Sequence, residues 1–140
     1  MLKVRDIMST HALSFKPDTS IDDAALALAN HHIGGAPVVK DGRVIGVLSK
    51  TDLLDPDRIG QRVSEVMTPL VHYLRADEPA MAAVRLMLSE SIHRVIVINE
   101  MGKLAGIVTT TDVLKAFHHG HSFHEGDELP GRLERHADPA

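Results

Sequence analysis

The chain has 140 residues, the length of one compact domain with a fair core. Apolar residues make up 44% but aromatics only 3%, so the core must be Val, Ile, Leu, Ala and Met, and few rings are available for stacking nucleic-acid bases. A net charge of −4 without a basic stripe argues against nucleic-acid binding, and the lack of cysteine excludes disulfides, thiolate chemistry and Cys-ligated zinc.

The N-terminal Met-Leu-Lys-Val-Arg-Asp-Ile-Met has no apolar run of signal-peptide length. No stretch approaches the roughly 20 apolar residues of a membrane span. A cytoplasmic protein is the expectation.

Taken in order, the chain repeats itself. Val4-Arg5-Asp6-Ile7-Met8-Ser9 aligns with Val63-Ser64-Glu65-Val66-Met67-Thr68. At the same spacing Ile21, Ala24, Ala25 and Leu28 fall on Ala80, Ala83, Val84 and Met87, and Pro37-Val38-Val39 falls on Ile96-Val97-Ile98. After one inserted residue near Met101, Gly46, Ser49, Thr51 and Asp52 fall on Gly106, Thr109, Thr111 and Asp112. The expected organisation is repeat one over 1–55, a linker over 56–62, repeat two over 63–117, and a His-rich polar tail over 118–140.

Each repeat opens with a short segment around Ile7-Met8 or Val66-Met67, followed by an extended stretch, Ala12 to Phe15 or Val71 to Leu74. A helix comes next. In the first copy it opens at Thr19 or Ser20 with Asp23 placed for a capping box, carries the Ile21, Ala24, Ala25, Leu28 stripe and ends at Gly34-Gly35. In the second, Pro79 suits the first helical position. His31-His32 are expected at a helix C-terminus, where a positive charge is favourable.

A hairpin follows. Ala36 to Val39 and Arg43 to Leu48 flank Lys40-Asp41-Gly42, and Asp-Gly between apolar runs is a strong turn signal. Val95 to Ile98 and Leu104 to Val108 flank the longer Asn99-Glu100-Met101-Gly102. A second helix is expected to start at Asp52 or Asp112. Each copy thus reads as β-α-β-β-α with a three-stranded sheet, an α/β (α+β) fold. A unit of about 60 residues buries its sheet poorly alone. Two sheets packed face to face with pseudo-twofold symmetry would cover strands that are apolar on both faces.

The paired ends Gly46-Val47-Leu48-Ser49-Lys50-Thr51-Asp52 and Gly106-Ile107-Val108-Thr109-Thr110-Thr111-Asp112 are the candidate binding elements. A carboxylate accepts hydrogen bonds from vicinal hydroxyls more strongly than a neutral group does. Along an extended chain, hydroxyls three and one residues before it point the same way. The helix beginning there offers free N–H groups to an anion. Gly46 and Gly106 leave room for a ligand or another backbone. The plainer reading, an Asp that caps a helix, is compatible with binding.

The repeat, the Asp-Ile-Met-Ser start, the Ala-Pro-Val-Val strand and the Gly-x-x-Ser/Thr-x-Thr-Asp ends resemble a tandem pair of cystathionine-β-synthase (CBS) domains, the Bateman module, over about residues 1–117. The resemblance implies a regulatory module, not an enzyme. It would bind an adenosyl ligand, AMP, ADP, ATP or S-adenosylmethionine, in clefts between the repeats, form a homodimer and signal to an effector protein in trans. It implies ribose contacts from Asp52 and Asp112, with Ser49, Thr51, Thr109 and Thr111 on ribose or phosphate. The opposite repeat would complete each pocket: Thr68, Val71, His72, Ile92 and His93 for Asp52, and Ser9, Thr10, Ala12, Ile33 and Gly34 for Asp112. His93-Arg94 resembles the histidine-arginine phosphate contacts of the γ subunit of AMP-activated kinase. Gly34-Gly35 in the first copy departs from it, so two unequal sites are implied.

Two rivals stand beside this reading. One is a ligand-free interaction module with closed clefts. The other is a metal-responsive protein whose His118, His119, His121 and His124, with Glu125, Asp127 and Glu128, ligate zinc or nickel, against the alternative of a merely flexible polar tail. No cofactor is required by any motif. There is no nucleophile–base arrangement and no complete phosphate loop. Met8, Met67, Met81 and Met87 read as core filler.

Overall fold

A computed structural model describes residues 1–54, 57, 60–123 and 135–136. The tail candidate His124, the acidic residues after it and most of the linker's first half lie outside the described residues. In chain order the elements are α1 (Val4–Ile7), α2 (Ile21–Asn30), β1 (Gly35–Lys40), β2 (Arg43–Ser49), a 3₁₀ turn (Lys50–Leu53), α3 (Val63–Val66), β3 (Leu70–Val71), β4 (Tyr73–Arg75), α4 (Ala80–Ser89), β5 (Arg94–Ile98), β6 (Leu104–Thr109) and α5 (Thr110–His118).

The chain forms two compact units that do not follow the repeat boundaries. Among the described residues, one comprises Leu13–Val71 with His136, and the other joins Met1–Ala12 to residues 72–123 and Arg135. The start segment of each repeat is therefore built into the unit that carries the other repeat's hairpin. In the first-repeat unit, Ile21 N–H donates to Gln61 O (3.0 Å), Val63 N–H to Thr19 O (2.8 Å) and Ser64 N–H to Pro17 O (2.9 Å). The second-repeat unit makes the same three bonds with equivalent residues: Ala80 N–H to Leu2 O (2.9 Å), Val4 N–H to Glu78 O (2.8 Å) and Arg5 N–H to Ala76 O (2.9 Å). α1 and α3 are single turns closed by an acidic residue. Asp6 accepts from Lys3 N–H (2.8 Å) and Glu65 from Arg62 N–H (3.0 Å).

The two cores express the same exchange. In the first-repeat unit Val63 and Val66 are buried with Phe15, Ile21, Ala24, Leu28, Ala36, Val38, Ile45 and Leu48. In the second-repeat unit Val4 and Ile7 are buried with Leu74, Ala80, Ala83, Leu86, Met87, Val95, Val97 and Val108. Fully burying one such aliphatic side chain is worth about 1.5–3 kcal/mol, so each start segment is held chiefly by its two inward residues. Met8 and Met67 pack against these cores as partly buried filler.

Helix α2 starts at Ile21 with Ser20 as N-cap, whose hydroxyl accepts from Asp23 N–H at 3.1 Å. It ends at Asn30, before the two glycines. His31 caps it and donates from Nδ1 to Ala27 O at 2.8 Å, and His32 takes the left-handed conformation at φ 53°. The predicted stripe is narrower than expected, because Ala25 faces solvent and Ala27 takes the partly buried place. In the second copy Pro79 is the N-cap rather than the first helical residue, and Ser91 repeats the left-handed exit at φ 54°.

Both hairpins form where expected. β1 and β2 turn through Asp41 (φ 53°) and Gly42 (φ 82°), a two-residue loop whose left-handed pair matches strand twist. β5 and β6 turn through Asn99 to Gly102, where the Asn99 side-chain oxygen accepts from Met101 and Lys103 N–H. Each hairpin has one bulge, with Val38 opposite Gly46 and Val39 opposite Val44, and Val97 opposite Gly106 and Ile98 opposite Leu104. The extra residues, Ile45 and Ala105, are equivalent in the repeat.

The expected third strand is present in one unit and vestigial in the other. β4 runs parallel to β5 through Tyr73–Arg75. In the first-repeat unit it shrinks to Phe15, which bridges Val38 in parallel and exchanges bonds with Pro37 O and Val39 N–H. The second helix is likewise unequal, nine residues in α5 but a single 3₁₀ turn at Lys50–Leu53.

Candidate functional site

Each hydroxyl–aspartate end is a capping box at the exit of a hairpin strand. Ser49 and Thr109 are the N-caps, and Asp52 and Asp112 stand at the third position of the turn that follows, not at the cap itself. Asp52 Oδ2 accepts from Ser49 N–H (2.8 Å) and Ser49 Oγ–H (3.1 Å). Asp112 Oδ2 accepts from Thr109 N–H (2.8 Å) and Thr109 Oγ1–H (3.0 Å), and Asp112 N–H donates back to Thr109 Oγ1 (3.2 Å). Ser49 Oγ and Thr109 Oγ1 reach their carboxylates because the chain turns into helix after them; an extended chain does not bring these groups together.

This geometry divides the roles within each motif. The Thr109 hydroxyl donates to and accepts from Asp112, so it orients that carboxylate. Asp112 Oδ1 takes no donor among the described residues and faces its surroundings with capacity to spare. Thr111 is exposed, and its hydroxyl has no partner among the described residues. In the other motif Ser49 Oγ lies 2.7 Å from Thr51 Oγ1 as well as 3.1 Å from Asp52. The helix-start donors are also less open than expected. Thr110 N–H is spent on His93 O (3.1 Å), Asp112 N–H on Thr109, and Lys50 N–H on Gly34 O (2.9 Å).

The start segments flank these ends. Ser9 exchanges two backbone bonds with Ile107 (2.8 and 2.9 Å), two residues before Thr109. Thr68 does the same with Val47 (2.9 and 2.9 Å), two residues before Ser49. The two glycines admit this approach. A Cβ on Gly46 would lie 2.7 Å from Met67 Sδ and 3.0 Å from Thr68 O, and one on Gly106 would lie 2.7 Å from Ser9 O and 3.0 Å from Met8 Sδ. Of the two uses foreseen for these glycines, close passage of another backbone is the one they serve.

Opposite the N-caps the units differ in charge. Gly35 is the register partner of Ser49, whereas Arg94 is the partner of Thr109. Residues facing each other across an antiparallel pair share a sheet face, so Arg94 and Thr109 look the same way. Burial lowers the Arg94 guanidinium below its ordinary value, yet arginine stays protonated in proteins. It has no hydrogen-bonded or ionic partner among the described residues. His93, next to it, is exposed.

The remaining candidates divide by unit. Ile33, Gly34, Thr68 and Val71 belong with Ser49, Thr51 and Asp52; Ser9, Thr10, Ala12, His72, Ile92, His93 and Arg94 belong with Thr109, Thr111 and Asp112. The second-repeat unit also has an open depression of about 570 Å³ lined by Met1, Leu2, Asp6, Gly120, His121 and Ser122. Of the predicted residues only His121 reaches it. His118 and His119 lie at the end of α5 with ring centroids 5.6 Å apart. Among the described residues no group of three or more His, Asp or Glu could hold a metal ion, and no helix is long and apolar enough to cross a membrane.

Comparison with known proteins bears on the fold. Protein MJ1232 of Methanocaldococcus jannaschii is 31% identical over 115 residues, covering 81% of this chain. The chain spans only 39% of that relative's length. Among solved structures, CBSX2 in complex with AMP, a CBS-pair protein of Arabidopsis thaliana, superposes with a TM-score of 0.80 at 32% identity over 85% of this chain and 98% of that one. The CBS domain pair of protein MJ0100, in complex with 5′-methylthioadenosine and S-adenosyl-L-methionine, gives a TM-score of 0.75 at 27% identity over 86% and 99% of the two chains. A family model described as CBS domain matches twice, at residues 4–56 and 63–119. The chain belongs to the CBS domain family and carries two copies of that domain.

Proposed function

We propose that this CBS pair is a regulatory module that binds an adenosyl ligand (AMP, ADP, ATP or S-adenosylmethionine) at its hydroxyl–aspartate ends and passes the state of occupancy to an effector protein in trans. The observation that carries the reading is the duplicated capping box. In the Asp112 copy one carboxylate oxygen is fixed by the protein and the other is left with two lone pairs, to which vicinal ribose hydroxyls can donate. Arg94, half-buried and without a protein partner among the described residues, supplies the cation that a phosphate needs. The adenosyl ligands of CBSX2 and of the MJ0100 pair support the same class here.

In this reading Thr68 and Val71 border the first-repeat end, and Ser9, Thr10 and Ala12 the second. A ligand with different affinities for two arrangements of the protein shifts their populations by that difference, and the module acts as a cytoplasmic homodimer whose partner reads the shift. Titration calorimetry with AMP, ATP and S-adenosylmethionine tests it. Wild type should bind at least one of them, and Asp52→Ala and Asp112→Ala should each remove a component of the heat. Binding that survives both substitutions, or no binding by wild type, overturns the proposal.

A further inference from the structure

With six methionines and no cysteine, thioethers are the only sulfur groups of the chain. Two of the six, Met8 and Met67, stand at equivalent places in the repeat, directly after the buried pairs Val4-Ile7 and Val63-Val66. Each reaches over the glycine of the second hairpin strand in its unit. A Cβ on Gly46 would lie 2.7 Å from Met67 Sδ and 3.1 Å from Met67 Cγ, and one on Gly106 would lie 3.0 Å from Met8 Sδ and 3.3 Å from Met8 Cγ. The thioether thus fills the place of the side chain that the strand lacks.

The next residue carries the join. Ser9 and Ile107 exchange two backbone bonds, and so do Thr68 and Val47. Each pair forms an isolated antiparallel bridge. A bridge of two bonds has little support of its own, so the packing beside it decides whether it stays closed. The methionine that supplies this packing is only partly buried in both units, within reach of a small solute, whereas Met87 is 6% exposed. A soft, flexible thioether tolerates such a half-wet apolar place. A sulfoxide does not, because it is polar and chiral and its oxygen must leave the apolar contact for water.

We propose that Met8 and Met67 are a matched pair of peroxide-sensitive modification sites, and that a sulfoxide at either one opens the bridge between start segment and hairpin strand in its own unit. The thioether sulfur attacks one peroxide oxygen, the O–O bond breaks and an S–O bond forms. The departing hydroxide takes the proton from the oxygen now bound to sulfur and leaves as water. Sulfur loses two electrons and peroxide gains them. A dithiol acting through a sulfoxide reductase reverses the change, giving thioether, disulfide and water. Ile107 and Val47 lie two residues before Thr109 and Ser49, so the modification reaches the hydroxyl–aspartate ends without touching them. The switch is independent of what those ends bind.

Hydrogen peroxide treatment of the full chain, followed by peptide mass spectrometry and amide hydrogen exchange, tests the pair. Met101, 67% exposed in the β5–β6 turn, is the internal control that oxidises without effect. Sulfoxide at Met8 should speed exchange of the Ser9 and Ile107 amides about tenfold or more, and sulfoxide at Met67 that of the Thr68 and Val47 amides, the net worth of about one hydrogen bond. Amides of α2 and α4 should stay within about twofold. Met8→Leu should protect the first pair alone and Met67→Leu the second alone. Sulfoxide reductase with dithiothreitol should restore the original rates. The wild-type measurement stands without either variant. Sulfoxide at Met8 and Met67 with unchanged bridge amides overturns the proposal, as does full oxidation of Met101 that leaves both unmodified. Acceleration spread evenly over α2 and α4 means global unfolding in place of local release and overturns it too.

Discussion

The first-repeat end, Ser49 to Asp52, and the second-repeat end, Thr109 to Asp112, occupy the same place in their units and close the same capping box. They differ in what surrounds it. A full helix leaves Asp112, while a single 3₁₀ turn leaves Asp52. An arginine faces one cap, a glycine the other. A serine hydroxyl shared with Thr51 replaces a threonine hydroxyl closed on Asp112. A duplicated scaffold can therefore keep the same capping box at both strand exits while the helix beyond it and two or three side chains around it differ.

The largest expected effect tests the shared backbone. Gly106→Ala drives a Cβ to 2.7 Å from Ser9 O, a backbone atom, whereas Gly46→Ala first meets the flexible end of Met67. Gly106→Ala should cost about 3 kcal/mol and Gly46→Ala about 1 kcal/mol in urea unfolding. Equal costs would show that the two approaches are not as different as their contacts.

A double-mutant cycle sharpens the comparison of cores. Val4→Ala and Leu86→Ala, buried in the same cluster, should couple by about 1 kcal/mol in thermal unfolding, while Val4→Ala and Leu28→Ala should add within about 0.5 kcal/mol. The reverse pattern would return α1 to its own repeat's core.

Capping comes next in size. Thr109→Ala loses a hydroxyl that both accepts and donates and should destabilise by about 1 kcal/mol, with Thr109→Ser restoring most of it. Ser49→Ala, at the mouth of a four-residue turn, should cost less, and circular dichroism melts of the three variants would rank them. The smallest effect belongs to Arg94→Met. Removing a half-buried cation that lacks a protein partner among the described residues should change stability by no more than about 0.5 kcal/mol. A large loss would mean the guanidinium holds the fold together rather than waiting for an anion.

Much of this is legible in the amino-acid sequence. The Asp41-Gly42 turn, the Ser20–Asp23 cap and the alignment of the two aspartate ends all depend on neighbours in sequence, and local chemistry decides them. Three features are not. The destination of the start segments is set by which core accepts Val4-Ile7 or Val63-Val66. The two pairs are equally apolar, so neither pattern names its partner. The exposure of Ala25 is not legible because alanine fits either face of a helix, and a narrow stripe cannot be told from a wide one when its members are that small. The grouping of Ser49, Thr51 and Asp52 depends on where the chain turns from strand to helix, and residue pattern does not fix the first helical residue to within one position. The hydroxyl contacts that separate the two motifs depend on that position.

The exchange of start segments also bears on how the gene can be cut. The stretch that was copied during duplication and the stretch that packs as a body are out of phase by one short segment. A polypeptide ending near residue 55 would lack Val63 and Val66, the aliphatic pair that fills the space beneath its helix, whereas one running from Leu13 to Val71 carries a finished interior. The fragment expected to survive on its own is thus the one that ignores the repeat's own punctuation.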